Sequence, residues 1–301
     1  MQNEVLVEQG SLRNRRGLTL RYRTWRSRAL APTGTAVLVH GLGEHAGGYH
    51  RLACLLAGFS YQVYCLDLYG FGASEGKRGH VVRIADYLAD LRLLERIARA
   101  AESPCGEQGA GSREAPGLFR GRLLFGHSMG GLLALAYLER YPGEHTHAVI
   151  SSPALDPAFG VPAHLRLLGK LLDVLWPSCP FDNRIGSEQL TSDQSARERY
   201  QEDPLRHELI TPRLFNELVR LGKRVWKDRS GMSPGLRLLV LVGGEDTVIR
   251  REDPRDFLRD LPVRSSRLEV LEGARHDLLA GEAEARTFGE LASWLAGEAA
   301  G

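Results

Sequence analysis

The sequence is poor in lysine and cysteine and has no long apolar run, and each scarcity closes off a class of protein. Lysine occurs only at Lys77, Lys170, Lys223 and Lys227, yet with arginine there are 39 basic residues against 37 acidic ones. The formal net charge is only +2, so no global basic field recommends a nucleic-acid partner. Cys54, Cys65, Cys105 and Cys179 show no C-x-x-C spacing. That pattern argues against a zinc site or a disulfide framework and for reduced, buried or partly buried thiols. No stretch approaches the roughly 18 apolar residues that a spanning helix needs. Met1 to Gly17 lacks an apolar targeting core, so the expected location is cytoplasmic. What remains is ordinary: 43% hydrophobic and 25% charged residues in 301 positions, enough for one α/β domain with an insertion.

The most informative stretch runs from Arg120 to Tyr141. Leu123, Leu124 and Phe125 form a short apolar run bounded by glycine, which reads as a buried strand. Gly126-His127-Ser128-Met129-Gly130 follows, and Leu132, Leu133, Leu135, Ala136 and Leu138 then recur at helical spacing up to the stop at Pro142-Gly143. Strand, G-x-S-x-G and helix in that order form a nucleophile elbow. The turn is so tight that side chains at Gly126 and Gly130 would clash, which leaves Ser128 on an exposed corner above a helix N-terminus.

Around this stretch strands and helices alternate. Val5–Val7 and Leu18–Trp25 alternate apolar and polar residues like half-exposed antiparallel strands. Ala36–Val39, Tyr61–Asp67, His147–Ser152, Leu236–Val242 and Ser266–Leu271 read as further strands, several of them continuous apolar runs buried on both faces. Helices are expected near Leu52–Leu56, from about Val81 to Ala101, from Val248 to Leu261 and from Ala283 to Leu295. Glu102 to Gly117 is polar and rich in glycine and proline, a surface loop. The alternation breaks between Pro153 and about Ser230, where the pattern is helical, proline-punctuated and without clear strands. Repeated βα units imply a mostly parallel sheet flanked by helices. Together with the nucleophile elbow, which is a mark of the α/β-hydrolase fold, this sets the expected organisation: an α/β-hydrolase fold with a core over 1–153 and 230–301 and a helical cap over 154–229.

A serine hydroxyl needs a neighbouring base oriented by a third group, and in this fold the chain order is serine, acid, histidine. Asp246 lies just past the apolar run Leu238–Val242, and His276, the only histidine beyond it, just past Leu268–Leu271. Strand ends on one edge converge, so Ser128, Asp246 and His276 can meet. Asp246 can also cap the helix that follows it. Backbone N–H groups of Met129 and of Leu42, in the loop after the Ala36–Val39 strand, are the expected oxyanion donors.

His40-Gly41-Leu42-Gly43-Glu44-His45, Gly70-Phe71-Gly72-Ala73-Ser74-Glu75-Gly76-Lys77-Arg78-Gly79, Gly126-His127-Ser128-Met129-Gly130 and Gly244-Glu245-Asp246 occur in this order. So do the cap stretches Leu190-Thr191-Ser192-Asp193 and Asp203-Pro204-Leu205. Over nearly the whole chain this resembles the monoacylglycerol lipase and lysophospholipase branch of the α/β hydrolases. The resemblance implies a serine hydrolase that cleaves esters of single-chain lipids through an acyl-enzyme, with no cofactor or metal. Gly41, Gly43, Glu44 and His127, with Leu168 and Leu172 of the cap, form the expected substrate-contacting set. Two positions depart from the family pattern. Gly48 stands before Tyr49 where the family usually has an arginine that shapes the polar end of the site near Glu44, and Asp277 follows His276 in place of glutamate.

Three other readings compete: a carboxylesterase for short non-lipid esters, a binding protein on a hydrolase scaffold, and a nicotinamide-dependent oxidoreductase. The last rests on Gly41–Ala46, which fits G-x-G-x-x-A after a strand with Asp67 ending the next one, but it leaves the elbow, Asp246 and His276 without a role. His45 with His50, and His145 with His147, lack metal-site context and read as structural or surface residues. From Val161 to Trp176, Leu165, Leu168, Leu172, Leu175 and Trp176 share a face, with Arg166, Lys170 and Asp173 opposite. That helix either packs on the core or forms a lid that lines an acyl tunnel and touches membrane surfaces. The pattern sets no oligomeric state.

Overall fold

The computed structural model describes residues 4–101 and 121–299. The loop expected over Glu102 to Gly117, with Cys105, lies outside the described residues. The strands are β1 (Val5–Arg13), β2 (Thr19–Ser27), β3 (Gly34–Val39), β4 (Tyr61–Leu66), β5 (Arg122–His127), β6 (His147–Ser151), β7 (Phe181–Asp182), β8 (Leu209–Ile210), β9 (Arg237–Gly243) and β10 (Ser265–Leu271). The helices are α1 (His50–Gly58), α2 (Ile84–Ala101), α3 (Met129–Arg140), α4 (Ala163–Leu175), α5 (Ser187–Leu190), α6 (Gln194–Glu202), α7 (Pro212–Asp228), α8 (Asp253–Leu258) and α9 (Gly281–Ala299).

Eight strands make one sheet in the order β1-β2-β4-β3-β5-β6-β9-β10. β1 and β2 pair antiparallel, as does β2 with β4, and every other neighbour pairs in parallel. This is the mostly parallel sheet that the strand–helix alternation predicted, in the arrangement of the α/β-hydrolase fold that the elbow implied. The central strands read as unbroken apolar runs because both faces are covered. Val37 and Val39 of β3, Leu124 of β5 and Val240 of β9 face one core with α2, α3 and α7. Ala36, Leu38, Leu123, Phe125 and Leu239 face a second core with α1 and α9. Alternate residues thus feed opposite layers, as the period of two requires.

The chain leaves β3 toward β4 on one side and arrives at β5 on the other. A crevice therefore opens at the carboxyl ends of β3 and β5, and the loops after β3, β5, β9 and β10 line it. The helix that begins at this crevice, α3, has ten of its twelve residues buried. A helix apolar all round belongs inside, and its burial leaves the turn before it no room to relax.

Between β6 and β9 the chain forms α4 to α7 and a two-residue antiparallel ladder, β7 with β8. That ladder is too short to produce a sequence period. The expected helix from Val248 begins only at Asp253, because Pro254 is tolerated only in a helix's first turn. The orientation of α4 also differs from expectation. Its buried residues are Gly169 and Asp173, since Arg213 and Arg220 of α7 ion-pair with Asp173 and Asn216 Nδ2 donates to the Gly169 carbonyl. Drawn inward by this pairing, Asp173 turns Leu167, Leu171, Val174, Leu175 and Trp176 to solvent, Val174 being 80% exposed. One helix's apolar pattern could not reveal a charged partner on another.

Candidate active site

Ser128 sits between β5 and α3 at φ 54° and ψ −118°, a conformation that L residues avoid. Two glycines permit it. A Cβ on Gly126 would lie 2.4 Å from the Gly130 carbonyl oxygen, and one on Gly130 would lie 2.1 Å from that of Val39. The Ser128 N–H donates to Ser151 O at 2.9 Å, and its carbonyl accepts from Leu132 and Ala154. The strained corner is held by three main-chain bonds.

Asp246 follows β9 and His276 follows β10. A Cβ on Gly243 would lie 2.2 Å from Arg275 O, so only glycine lets the end of β9 lie against the turn carrying His276. Ser152 Oγ donates to His276 O at 2.9 Å, and Asp277 N donates to Leu190 O at 2.8 Å. His276 Nε2 lies 2.9 Å from Ser128 Oγ, and its Nδ1 lies 2.8 Å from Asp246 Oδ2. The other Asp246 oxygen accepts from the N–H groups of Val248 and Ile249. These bonds form a local turn and not the helix cap that the sequence suggested, because α8 starts further on.

The electrostatics follow from burial and pairing. Burial pushes the Asp246 carboxyl up, but His276, its hydrogen bond and the two N–H donors hold it below the ordinary carboxylate value. Burial works against a charged His276, yet Asp246 beside it leaves the imidazole raised above its usual value. A histidine held between a carboxylate and a serine hydroxyl, its far nitrogen facing that hydroxyl, can take the serine proton.

Beside this relay a cavity of about 390 Å³ is lined by Leu42, Gly43, Glu44, His127, Ser128 and His276 from the sheet edge. The segment between β6 and β9 supplies the opposite wall, Tyr200, Arg206 and Glu208 among others. Leu42 thus lies at the cavity, and Met129 is the first residue of α3, where helix geometry leaves N–H groups without a helical acceptor. Gly41 carries its N–H to Glu44 Oε2 at 2.9 Å, and the Tyr49 hydroxyl donates to the same oxygen at 2.6 Å. Burial pushes the Glu44 carboxyl up, but His127, Arg206, Tyr49 and the Gly41 N–H bring it to about 2. His127 is buried, its pKa lowered by that burial, with Nδ1 3.1 Å from Ser151 Oγ. Leu168 and Leu172 do not line this cavity. The Asp173 pairing carries Leu168 to the outer surface, 47% exposed, and leaves Leu172 half-buried on the same helix.

Sequence reasoning missed Arg206 and Tyr200. The first directly follows Asp203-Pro204-Leu205, but an arginine in a loop carries no local sign of burial.

The residues of the competing motifs have structural partners. Asp67 spends its two oxygens on the N–H groups of Ala46 and Ala73, and the buried Glu44 carboxylate occupies the Gly41 N–H. A dinucleotide's pyrophosphate would meet that negative charge where it needs a free donor, so the oxidoreductase reading fails. His45 donates to Asp203 and His145 pairs with Glu95. Among the described residues no group of three or more potential ligands could hold a metal ion.

Residues 31–284 match the Hydrolase_4 family, described as serine aminopeptidase, S33. The chain belongs to this family. A monoacylglycerol lipase from Mycolicibacterium smegmatis is 30% identical over 265 residues, 88% of each chain. The crystal structure of the Paleococcus ferrophilus monoacylglycerol lipase superposes with a TM-score of 0.74 at 28% identity, over 98% of this chain and 99% of that one. A soluble variant of monoglyceride lipase from Saccharomyces cerevisiae, in complex with a substrate analog, gives a TM-score of 0.79 at 21% identity, over 96% and 94% of the chains. That last likeness shows the fold alone. The chain lies in the monoacylglycerol lipase branch of the α/β hydrolases and is a serine ester hydrolase.

Proposed function

We propose that this chain hydrolyses monoacylglycerols, with Ser128 as nucleophile, His276 as general base and acid, and Asp246 as the group that orients the imidazole. The observation that carries the reading is the unbroken hydrogen-bonded relay from Asp246 through His276 to Ser128, open to a cavity beside the serine. Ser128 Oγ attacks the ester carbonyl as His276 Nε2 takes its proton. The N–H groups of Leu42 and Met129 stabilise the oxyanion. His276 then returns the proton to the departing glyceryl oxygen, the C–O bond breaks, and an acyl-Ser128 remains. Water, deprotonated by His276, attacks that ester and restores the serine while the fatty acid leaves.

The substrate class rests on two supports. Two relatives at 28–30% identity over most of both chains are named monoacylglycerol lipases. Among the described residues the cavity carries Glu44, Asp203 and Glu208 against one arginine, Arg206, a balance that repels the phosphate of a lysophospholipid and suits an uncharged polyol. The family description would also allow an aminopeptidase, but the two relatives just cited are named lipases. The polar walls do favour one rival, a carboxylesterase for short esters, because among the described residues Leu42, Ile185 and Leu190 are the only aliphatic side chains on the lining.

An acyl-length series of 1-monoacylglycerols, with lysophosphatidylcholines alongside, tests this. Activity that persists to long-chain glyceryl esters and disappears in Ser128→Ala is the expected result. Turnover confined to short esters would replace lipase with carboxylesterase, and turnover in Ser128→Ala would overturn the assignment altogether.

The exposed row on α4 supports a further part of the reading, contact between this helix and a lipid surface. Leu167, Leu171, Val174, Leu175 and Trp176 face outward, and the exposed charges on the helix, Arg166 and Lys170, are both positive, which suits an anionic bilayer.

A further inference from the structure

Arg206 is the one arginine or lysine among the described residues that line the cavity, and its environment is unusual. The side chain is only 16% exposed, and its Nη2 lies 3.6 Å from Glu44 Oε1, just beyond hydrogen-bond length. No hydrogen bond joins its guanidinium to any described residue, although a guanidinium carries five donors and a buried one ordinarily spends them. It stacks over the Tyr200 ring at 4.1 Å, and the Tyr200 hydroxyl donates to Asp277. The cation is therefore positioned by an aromatic platform that is itself fixed beside His276.

Glu44 is equally half-committed. Its Oε2 takes both the Gly41 N–H and the Tyr49 hydroxyl, while Oε1 has only the distant Arg206. A free acceptor and a free donor thus face each other across a gap that one oxygen can bridge. A hydroxyl both donates and accepts, so it satisfies the two together. A phosphate oxygen only accepts, and a bare alkyl group satisfies neither. The position that usually holds arginine in this family does not supply the cation, since Gly48 is exposed and a Cβ there would meet nothing within 4 Å.

We propose that Arg206 and Glu44 form the headgroup clamp of this site, reading a free hydroxyl of the glyceryl moiety, with the cation delivered from the cap segment because residue 48 cannot deliver it. The proposal rests on the glyceryl-ester reading above. Arg206 sets specificity and takes no part in the bond-making steps.

The test compares 1-monodecanoylglycerol with methyl decanoate, which carries the same acyl chain and no free hydroxyl, in the wild-type enzyme, Arg206→Leu and Arg206→Lys. The clamp predicts that Arg206→Leu lowers the glyceryl-to-methyl ratio of kcat/KM by about tenfold or more, chiefly through KM, as expected when hydrogen bonds to a charged group are lost. Arg206→Lys, which keeps a cation on a flexible stem, restores part of the ratio. A ratio unchanged in Arg206→Leu, or one that falls equally in both variants, overturns the clamp. A wild-type enzyme that prefers the methyl ester instead overturns the glyceryl reading itself, whatever the variants do. If Arg206→Leu fails to fold, the Arg206→Lys ratio alone decides, because loss of fork geometry must still move it below wild type.

Discussion

Replacing Asp246 by asparagine removes one charge and leaves almost the same shape, which isolates what that charge does. The amide oxygen can still accept from Val248 and Ile249 as Oδ1 now does at 2.8 and 3.3 Å. The turn after β9 therefore keeps its hydrogen bonds and the protein should fold. The amide nitrogen then faces His276 Nδ1 across the present 2.8 Å, two donors in conflict unless the imidazole moves its proton to Nε2. In that tautomer Nε2 donates to Ser128 Oγ and can no longer take its proton. The cost is about 10⁴ in kcat where the same tautomer is imposed in a serine protease, or about 5.4 kcal/mol at 1.36 kcal/mol per tenfold. The substitution also removes the partner that raises His276, so the imidazole pKa falls and the acid limb of the rate profile moves to lower pH. A stopped assay with a chromogenic ester across pH 5 to 9, alongside a thermal melt, reads both effects. A kcat within about tenfold of wild type, with an unmoved acid limb, would refute the role given to Asp246.

Wild-type kcat/KM should rise with pH through the His276 pKa, which lies above the ordinary imidazole value; a pH–rate profile checks it. The same shifts fix the sign for stability. The His276 contribution is full below the unfolded imidazole pKa and is lost as pH climbs through the raised one, while that of Asp246 is lost as pH falls through its depressed one. Chemical denaturation at several pH values measures both. Gly130→Ala pushes a Cβ to 2.1 Å from Val39 O and 2.5 Å from His40 O, and should cost about 1–3 kcal/mol with a large loss of kcat. Gly289→Ala in α9, where a Cβ meets nothing within 4 Å, should stabilise by about 0.5–1 kcal/mol, and paired melts compare the two. Leu171→Asp with Val174→Asp on α4 should weaken co-sedimentation with anionic vesicles while turnover of a water-soluble ester stays near wild type; unchanged co-sedimentation would remove α4 from any lipid contact.

The sheet was legible because burial on both faces writes unbroken apolar runs such as Val37–Val39 and Leu238–Val242, and the elbow because Gly126 and Gly130 have no substitute there. Asp246 and His276 could be named because strand ends on one edge must converge. What escaped depends on contacts between distant segments. The inward turn of α4 follows from Arg213 and Arg220 on Asp173, about forty residues away. The placement of Arg206 follows from Tyr200 and Glu44, and nothing local marks an arginine as buried. The two-residue ladder of β7 and β8 leaves no period to read.

Arg206 adjoins His207, whose N–H donates to Gly43 O at 3.2 Å and whose own carbonyl oxygen sits 2.2 Å from where a Cβ on Gly43 would be. Main-chain atoms thus set the address of position 206, and the Tyr200 ring sets the direction of its side chain. On the proposed clamp, a saturation library at that single codon is expected to change headgroup preference through the side chain alone, with the Ser128 hydroxyl left in place.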